Sequence, residues 1–350
     1  MAYHSSDGSA KAGRGVTTPL LVPMLLSLAT TTTLLAASAR AGPEGPCDIF
    51  AKGTPPTPCV AAHSMTRALF ASYAGPLYSV KNAAGAVKDI PTKGGVADAA
   101  AQDAFCGTPN SCVVQAIYDQ SPMKNHLGIE HGAPNLGPPR NRQDTGVNFT
   151  DPKSKTTLGG APVYSAFFVG DNSKSHSYTG QGYSNRTAKG TAVGDEPQTT
   201  YAVFSGRHYN SGCCFDYGNA ENVTAAGNAG PMSDGTMEAV YFGSGYAPHG
   251  KGSGSGPWIG ADMENGIYEG ASNQASVPSL KPSDFVVGFV KGRPGNYYEI
   301  KTGNPQEGAA LHAQYAGPRP KGYELMKKQG AIILGIEGDN SPWCAAALFT

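Results

Sequence analysis

Gly256-Pro257-Trp258-Ile259-Gly260-Ala261-Asp262-Met263-Glu264-Asn265-Gly266-Ile267-Tyr268-Glu269-Gly270 is the stretch on which the reading of the chain turns. Successive strand side chains point to opposite faces. Ile259, Ala261 and Met263 then share one face, suited to a core, and Trp258, Gly260, Asp262 and Glu264 share the other. Two carboxylates at this spacing sit roughly 7 Å apart at the backbone, beside an aromatic ring. The face is either a solvated strand surface or the wall of a sugar-binding cleft.

Working outward, the same short-strand pattern recurs. Val163–Val169, Thr200–Phe204, Met237–Phe242, Phe285–Lys291, Tyr297–Ile300 and Ala331–Ile336 are apolar or alternating runs between Gly, Asn, Ser and Pro clusters. Leu77–Val80 and Val113–Tyr118 precede them. Many short strands at this spacing predict an all-β, antiparallel β-sandwich or barrel. Two short helices are expected near the N-terminus. His63–Tyr73 spaces Met65, Leu69 and Phe70 helically behind Ser64 as a cap, and Gly95–Phe105 is Ala-rich. No repeat of constant period is visible, which argues against a propeller or solenoid.

Composition narrows the class. Only 15% of residues are charged, against 47 Gly and 27 Pro in 350 residues, a balance that fits a secreted β protein. Acidic and basic residues are equal at 26 each, so charge gives no support for a nucleic-acid or anionic-membrane partner. At the N-terminus, Lys11 and Arg14 precede an apolar run from Val16 to Ala37 and the small-x-small triplet Ala39-Arg40-Ala41. This predicts a signal peptide over 1–41 and an extracellular protein. The rival reading is a membrane anchor, against which Pro19, Pro23 and Thr30–Thr33 count. Seven cysteines agree with an oxidising compartment. Cys47/Cys59 and Cys106/Cys112 are close enough to close small loops. Sequons at Asn148, Asn185 and Asn222 are candidate glycan sites.

The run Gly212-Cys213-Cys214-Phe215-Asp216-Tyr217-Gly218-Asn219 carries the most specific signal. Adjacent cysteines bond to each other only through a strained ring, and such bonds mark functional sites. With the two near pairs set aside, Cys344 is the alternative partner. A vicinal disulfide would present a flat apolar sulfur surface to a sugar ring.

That run, the opening stretch and Gly330–Ser341 (G-A-I-I-L-G-I-E-G-D-N-S) together resemble fungal α-L-arabinofuranosidases of glycoside hydrolase family 54. So do G-P-C-D-I-F, T-P-C-V-A-A-H-S, G-G-V-A-D-A-A-A-Q-D and I-Y-D-Q-S upstream. The resemblance spans Gly45 to Ser341. It implies a concanavalin-like (jelly-roll) sandwich that releases terminal α-L-arabinofuranosyl residues from arabinoxylan and arabinan with retention, as a monomer, without metal or cofactor. It also implies roles by motif. Glu264 is the nucleophile and Asp339 the acid/base. Asp262, Asn265, Ile267 (leucine in relatives) and Gly338 contact the sugar, and Cys213–Cys214 forms the floor. Cys47–Cys59 and Cys106–Cys112 are the implied remaining disulfides. Asp339 is expected to be protonated in the free enzyme.

The residues themselves leave rivals open. Asp262 and Glu264 could be the acid/base pair. The fold alone also suits a non-catalytic carbohydrate-binding sandwich. Asp98, Asp103, Asp119 and Asp216 read mainly as hydrogen-bonding loop pins, and His63, His126, His208 and His312 lack metal-ligand spacing. Trp258 suits core or cleft wall equally. The sugar-stacking tryptophan of relatives is missing from Gly243–Gly252, where Tyr246 or His249 would substitute. The catalytic sandwich is expected over 42–341 and an unmatched tail over 342–350. The further sandwich sequence that continues in relatives, with the β-trefoil arabinose-binding module of carbohydrate-binding module family 42 after it, is expected to be missing here. An inner sandwich strand is expected to be lost with it, leaving a less stable, less active or inactive fragment.

Overall fold

The computed structural model describes residues 43–107, 109–129, 144–169, 181–209, 215–222, 235–244, 253–264, 279–281, 283–308, 310–336 and 347–349. Two short helices, α1 (Pro46–Ala51) and α2 (Ala99–Cys106), lie early in the chain. Among the described residues, eighteen strands follow or flank them. In chain order they are β1 (Pro76–Lys81), β2 (Val87–Lys93), β3 (Val96–Ala97), β4 (Val113–Ile117), β5 (Leu127–Ile129), β6 (Lys155–Leu158), β7 (Ala161–Tyr164), β8 (Ala166–Phe168) and β9 (Gly182–Asn185). Then come β10 (Gln198–Ser205), β11 (Phe215–Ala220), β12 (Glu238–Gly243), β13 (Trp258–Asp262), β14 (Phe285–Arg293), β15 (Tyr297–Gly303), β16 (His312–Gly317), β17 (Ala331–Ile336) and β18 (Ala347–Phe349).

The strands form an antiparallel sandwich. A ten-stranded sheet runs β13-β12-β11-β17-β9-β5-β4-β1-β2-β3, and a six-stranded sheet runs β16-β15-β14-β10-β18-β8. The two inner faces meet through aromatic rings. Phe204 of β10 stacks on Phe242 of β12 at 5.1 Å and meets Phe215 of β11 edge-on at 5.8 Å. Each such fully buried ring contributes about 1.5–3 kcal/mol.

Strand β14 shows why the sheets approach closely here. Its inward row alternates Val286, Gly288, Val290 and Gly292. A Cβ on Gly288 would stand 2.6 Å from Cδ1 of Ile259, and one on Gly292 would stand 2.2 Å from a Glu238 carboxylate oxygen. The two glycines make room for side chains from the opposite sheet.

Glu238 is the one acid on that inward face of β12. Its carboxylate meets Lys328 Nζ at 3.0 Å and Arg319 Nη2 at 3.5 Å, with all three side chains fully buried. Arg319 also reaches Asp195 at 3.3 Å. Burying such charges is tolerable only when they are paired.

Several sequence expectations change. No helix forms over His63–Tyr73. Ser64 Oγ does accept from the N–H groups of Thr66 and Arg67, as a cap would. The next donors are taken by distant partners: Ala68 N–H goes to Gly95 O and Leu69 N–H to Gln120 Oε1. Three apolar positions are too weak a helical signal to resist these tertiary bonds. The second helix forms over Ala99–Cys106, capped by Asp98, whose Oδ1 accepts from Ala101 N–H at 3.1 Å. The run expected as one strand over Val163–Val169 is divided at Ser165, where the chain passes from β7, paired with β6, to β8 in the six-stranded sheet.

At the chain's end, Ala347–Phe349 pairs with both β10 and β8. The ladder expected to be left open is therefore occupied at this position. The two expected short-loop disulfides are both formed, with Cα–Cα distances of 5.5 Å for Cys47–Cys59 and 5.4 Å for Cys106–Cys112.

Candidate active site

Strand β13 ends the ten-stranded sheet and separates its residues as alternation requires. Register places Ile259, Ala261, Phe242, Val240, Phe215 and Tyr217 on the inward face. The outward face carries two rows across the strands: Gly260, Tyr241, Asp216 and Gly335, then Asp262, Ala239, Gly218 and Ile333. Asp262 and Asp216 thus share a face, two strands apart. Both are buried, as are Glu221 and Glu264 nearby in sequence.

The strand reading stops short of Glu264. The ladder with β12 ends at Asp262, and Glu264 adopts φ +63°, a left-handed conformation that a non-glycine residue rarely takes. The chain is held there from three sides. Asp262 Oδ1 accepts the Glu264 N–H at 2.9 Å. Gly235 N–H donates to Met263 O at 2.8 Å. The Tyr323 hydroxyl donates to Glu264 O at 2.7 Å. A left-handed non-glycine residue costs on the order of 1–3 kcal/mol and persists where its surroundings over-determine it, often at functional sites. Glu264 is therefore not simply the next outward residue of a strand. It is a buried carboxylate, 7% exposed, placed by a clamped turn.

Trp258 is on the outward face but is only 1% exposed, and its indole N–H donates to Ser253 O at 2.9 Å. It is packed as a buried wall rather than as an open platform. The other acids divide by role. Asp119 accepts from Ala62 N–H, Ser121 N–H, Ser121 Oγ and Asn125 N–H at 2.6–2.8 Å. Asp103 accepts from Tyr164 at 2.5 Å and Asp98 caps α2. These three are pins, as expected; Asp216 instead lies on the face of Asp262.

His63 is structural too. Its Nε2–H donates to Asn125 O at 2.8 Å, which leaves Nδ1 to accept from the Tyr217 hydroxyl at 2.9 Å. Burial holds this imidazole below its ordinary pKa and so neutral. Among the described residues no group of three or more His, Cys, Asp or Glu is arranged to hold a metal ion, and no helix is long and apolar enough to cross a membrane.

Cys213, Cys214, Asn265, Ile267, Gly338 and Asp339, together with Tyr246, His249 and Cys344, lie outside the described residues. The flanking strands do place their points of attachment. Phe215, which follows Cys214, pairs with Ile336, which precedes the segment of Gly338 and Asp339. Those two segments therefore join adjacent strands at one end of the sheet. Strand β13 delivers Glu264 toward the other end, where Asp262 pairs with Ala239.

Sequence reasoning misses Tyr323, Arg319, Lys328 and Glu238. Only Glu238 leaves a local trace, as a charge at an inward position of an apolar strand.

Comparison with known proteins bears on what this arrangement does. The family described as "Alpha-L-arabinofuranosidase B, catalytic" matches residues 46–350, which carries the match past Ser341 to the last residue. A probable alpha-L-arabinofuranosidase B of Aspergillus terreus is 48% identical over 306 residues, covering 85% of this chain and 56% of that protein. An arabinofuranosidase/B-xylosidase of Trichoderma koningii is 47% identical over 304 residues, with the same coverage. The chain spans about half the length of the curated relatives it matches. Among solved structures, an arabinofuranosidase complexed with arabinofuranosyl-alpha-1,2-xylobiose superposes with TM-score 0.75 at 39% identity, over 87% of this chain and 60% of that one. A GH54 a-l-arabinofuranosidase soaked with a cyclic sulfate inhibitor gives the same TM-score at 40% identity.

Proposed function

The chain belongs to the alpha-L-arabinofuranosidase B catalytic family, and from that premise we propose that it is the catalytic part of a secreted, retaining α-L-arabinofuranosidase acting on plant cell-wall arabinoxylan and arabinan. The observation that carries this reading is the clamped, buried Glu264 beside Asp262.

In the proposed reaction the Glu264 carboxylate attacks the anomeric carbon. The glycosidic C–O bond breaks, and Asp339 gives its proton to the leaving oxygen. Asp339, now a carboxylate, takes a proton from water, and that water displaces Glu264 from the sugar. Two inversions give net retention, and no metal or cofactor enters. The two carboxyl groups of such a pair work about 5–5.5 Å apart. Asp262, Asn265, Ile267 and Gly338 would contact the sugar, and a Cys213–Cys214 disulfide would floor the site.

Secretion is inferred from the N-terminal signal-like segment and fits the two disulfides. A monomer is the simplest state for this reading. Of the sequons, Asn148 and Asn185 each accept from the hydroxyl of the Thr two residues on, at 2.6 and 3.3 Å.

A rival assignment makes Asp262 the acid/base. Against it, Asp262 Oδ1 is engaged by the Glu264 N–H. The deciding experiment is hydrolysis of an aryl α-L-arabinofuranoside, with an aryl β-xyloside as a second substrate, by the chain and by Asp339→Ala and Asp262→Ala. Loss of the acid/base should spare substrates with good leaving groups, and azide should restore turnover. Azide rescue of Asp262→Ala and not of Asp339→Ala would reverse the assignment. A chain that binds arabinosides without cleaving them would favour the lectin-like alternative.

A further inference from the structure

We propose that Tyr323 is a positioning residue for Glu264: its hydroxyl holds the left-handed peptide that aims the nucleophile. The proposal rests on the reading of Glu264 as nucleophile. Tyr323 is 4% exposed and sits 59 residues from Glu264 in sequence, yet its hydroxyl meets Glu264 O at 2.7 Å.

The bond matters because of what it holds. At φ +63° the Glu264 backbone is in a conformation that relaxes readily to an extended one unless both flanking peptides are fixed. Asp262 fixes the N–H side. Tyr323 fixes the carbonyl side. Without the hydroxyl, the carbonyl side loses this restraint, and the left-handed backbone that orients the carboxylate can relax.

Tyr323 is itself rigidly based. Its segment is tied down at both ends by buried charge: Arg319 to Glu238 and Asp195 before it, and Lys328 to Glu238 after it. Met326 N–H also donates to Asp195 Oδ1 at 3.2 Å. Lys327 N–H then donates to Gly235 O at 2.7 Å, and Gly235 N–H to Met263 O. One segment thus reaches the Glu264 turn twice, directly through Tyr323 and through Gly235. This gives the otherwise costly buried ions a purpose: they anchor a brace behind the nucleophile.

The test compares the full chain with Tyr323→Phe and Tyr78→Phe. Tyr78 is an equally buried tyrosine whose hydroxyl donates to Gln102 Oε1 at 2.5 Å, in the other half of the same sheet. Both variants lose one buried hydroxyl and should melt at a lower temperature. Misplacing a reacting group by about 1 Å costs up to about 100-fold in rate. Tyr323→Phe should therefore lose about 10- to 50-fold in kcat, with KM within about twofold. Its rate of covalent labelling by a cyclic sulfate of arabinofuranose configuration should fall in parallel. Tyr78→Phe should stay within about twofold in both. A Tyr323→Phe enzyme with unchanged kcat, or an equal fall in Tyr78→Phe, overturns the proposal.

If the unaltered chain neither turns over nor is labelled at Glu264, the functional reading itself fails. The brace is then judged by amide exchange in the peptide containing Met263 and Glu264. Faster exchange in Tyr323→Phe alone upholds it, and exchange equal to the unaltered chain refutes it.

Discussion

The two halves of the ten-stranded sheet use acidic residues in opposite ways. In the half built from β1, β4 and β5, the Asp119 carboxylate receives four donors from three residues, Ala62, Ser121 and Asn125. A carboxylate has about four lone-pair sites, so Asp119 spends its side chain on fixing backbone. At β13 the direction is reversed. The backbone around Glu264 is fixed by Asp262, Gly235 and Tyr323, in a left-handed conformation that the residue would not choose alone. A structural acid holds the main chain; at the site the main chain holds the acid. The two stretches, Y-D-Q-S and A-D-M-E-N, look equally motif-like as text, and only their hydrogen bonds tell them apart.

The sharpest way to break this contrast is to neutralise each acid. Glu264→Gln keeps the shape and the main-chain clamp but removes the nucleophile. We expect kcat/KM on an aryl α-L-arabinofuranoside to fall by at least about 1,000-fold, some 4 kcal/mol of transition-state stabilisation, with the melting temperature nearly unchanged. Asp119→Ala should do the reverse. It strands several buried donors and should cost about 3–4 kcal/mol of stability, read by denaturant unfolding, while activity per folded molecule stays within about twofold. Were Asp119→Ala to unfold as the parent does but lose its activity, the division between pin and site would be wrong.

A smaller comparison lies within the N-terminal half itself. The Cys47–Cys59 bridge closes a longer loop than Cys106–Cys112, with sequence separations of 12 and 6. By loop entropy, replacing the first pair with Ser should cost about 3 kcal/mol and the second a little over 2 kcal/mol. Neither replacement should alter the Glu264 turn, so KM and kcat of the folded fraction should hold. Equal losses from the two replacements would mean that native-state packing around Cys47 and Cys112, both fully buried, outweighs the chain-entropy difference.

How much of this is legible in the sequence depends on the range of the interaction. Strands β13, β14, β15 and β17 are legible because alternation or an apolar run is a local property of the text. Helix α2 is legible from its alanines. The two acids of A-D-M-E-N draw attention to the stretch in which Glu264 is clamped. By contrast, β11 (F-D-Y-G-N-A) reads as a motif and not as a strand, since Gly218 and Asn219 suit a turn better than a sheet. The His63–Tyr73 helix fails because its backbone donors find Gly95 and Gln120 instead. The brace behind Glu264 cannot be read at all. Tyr323, Arg319 and Lys328 meet residues 59 to 132 positions away, and nothing local marks a tyrosine in P-K-G-Y-E-L as a partner for a distant carbonyl. Alternation also carries Glu264 one step too far, because a period of two continues past the point where φ changes sign.

The smallest expected effect concerns protonation in the pinned half. His63 is buried and neutral, with Nε2–H donated to Asn125 O and Nδ1 accepting from Tyr217. Burial is the main cause of its lowered pKa; the charge of Asp119 and the Asn125 carbonyl oppose it, and His126 adds to it. Burial also lowers His126 and His208. A histidine depressed on folding is neutral in both states above its unfolded value of about 6.5. Below that the unfolded chain takes up the proton first, so stability falls as pH drops from there toward the folded value. For one proton the slope is at most about 1.4 kcal/mol per pH unit. His63→Gln can still donate to Asn125 and accept from Tyr217, but it cannot titrate. It should lower stability somewhat at pH 8 while narrowing the gap in unfolding free energy between pH 8 and pH 5.5. Because His63 sits among the pins rather than at the Glu264 turn, the pH profile of kcat should not move with it. A shift of that profile in His63→Gln would show that the two halves of the sheet are coupled.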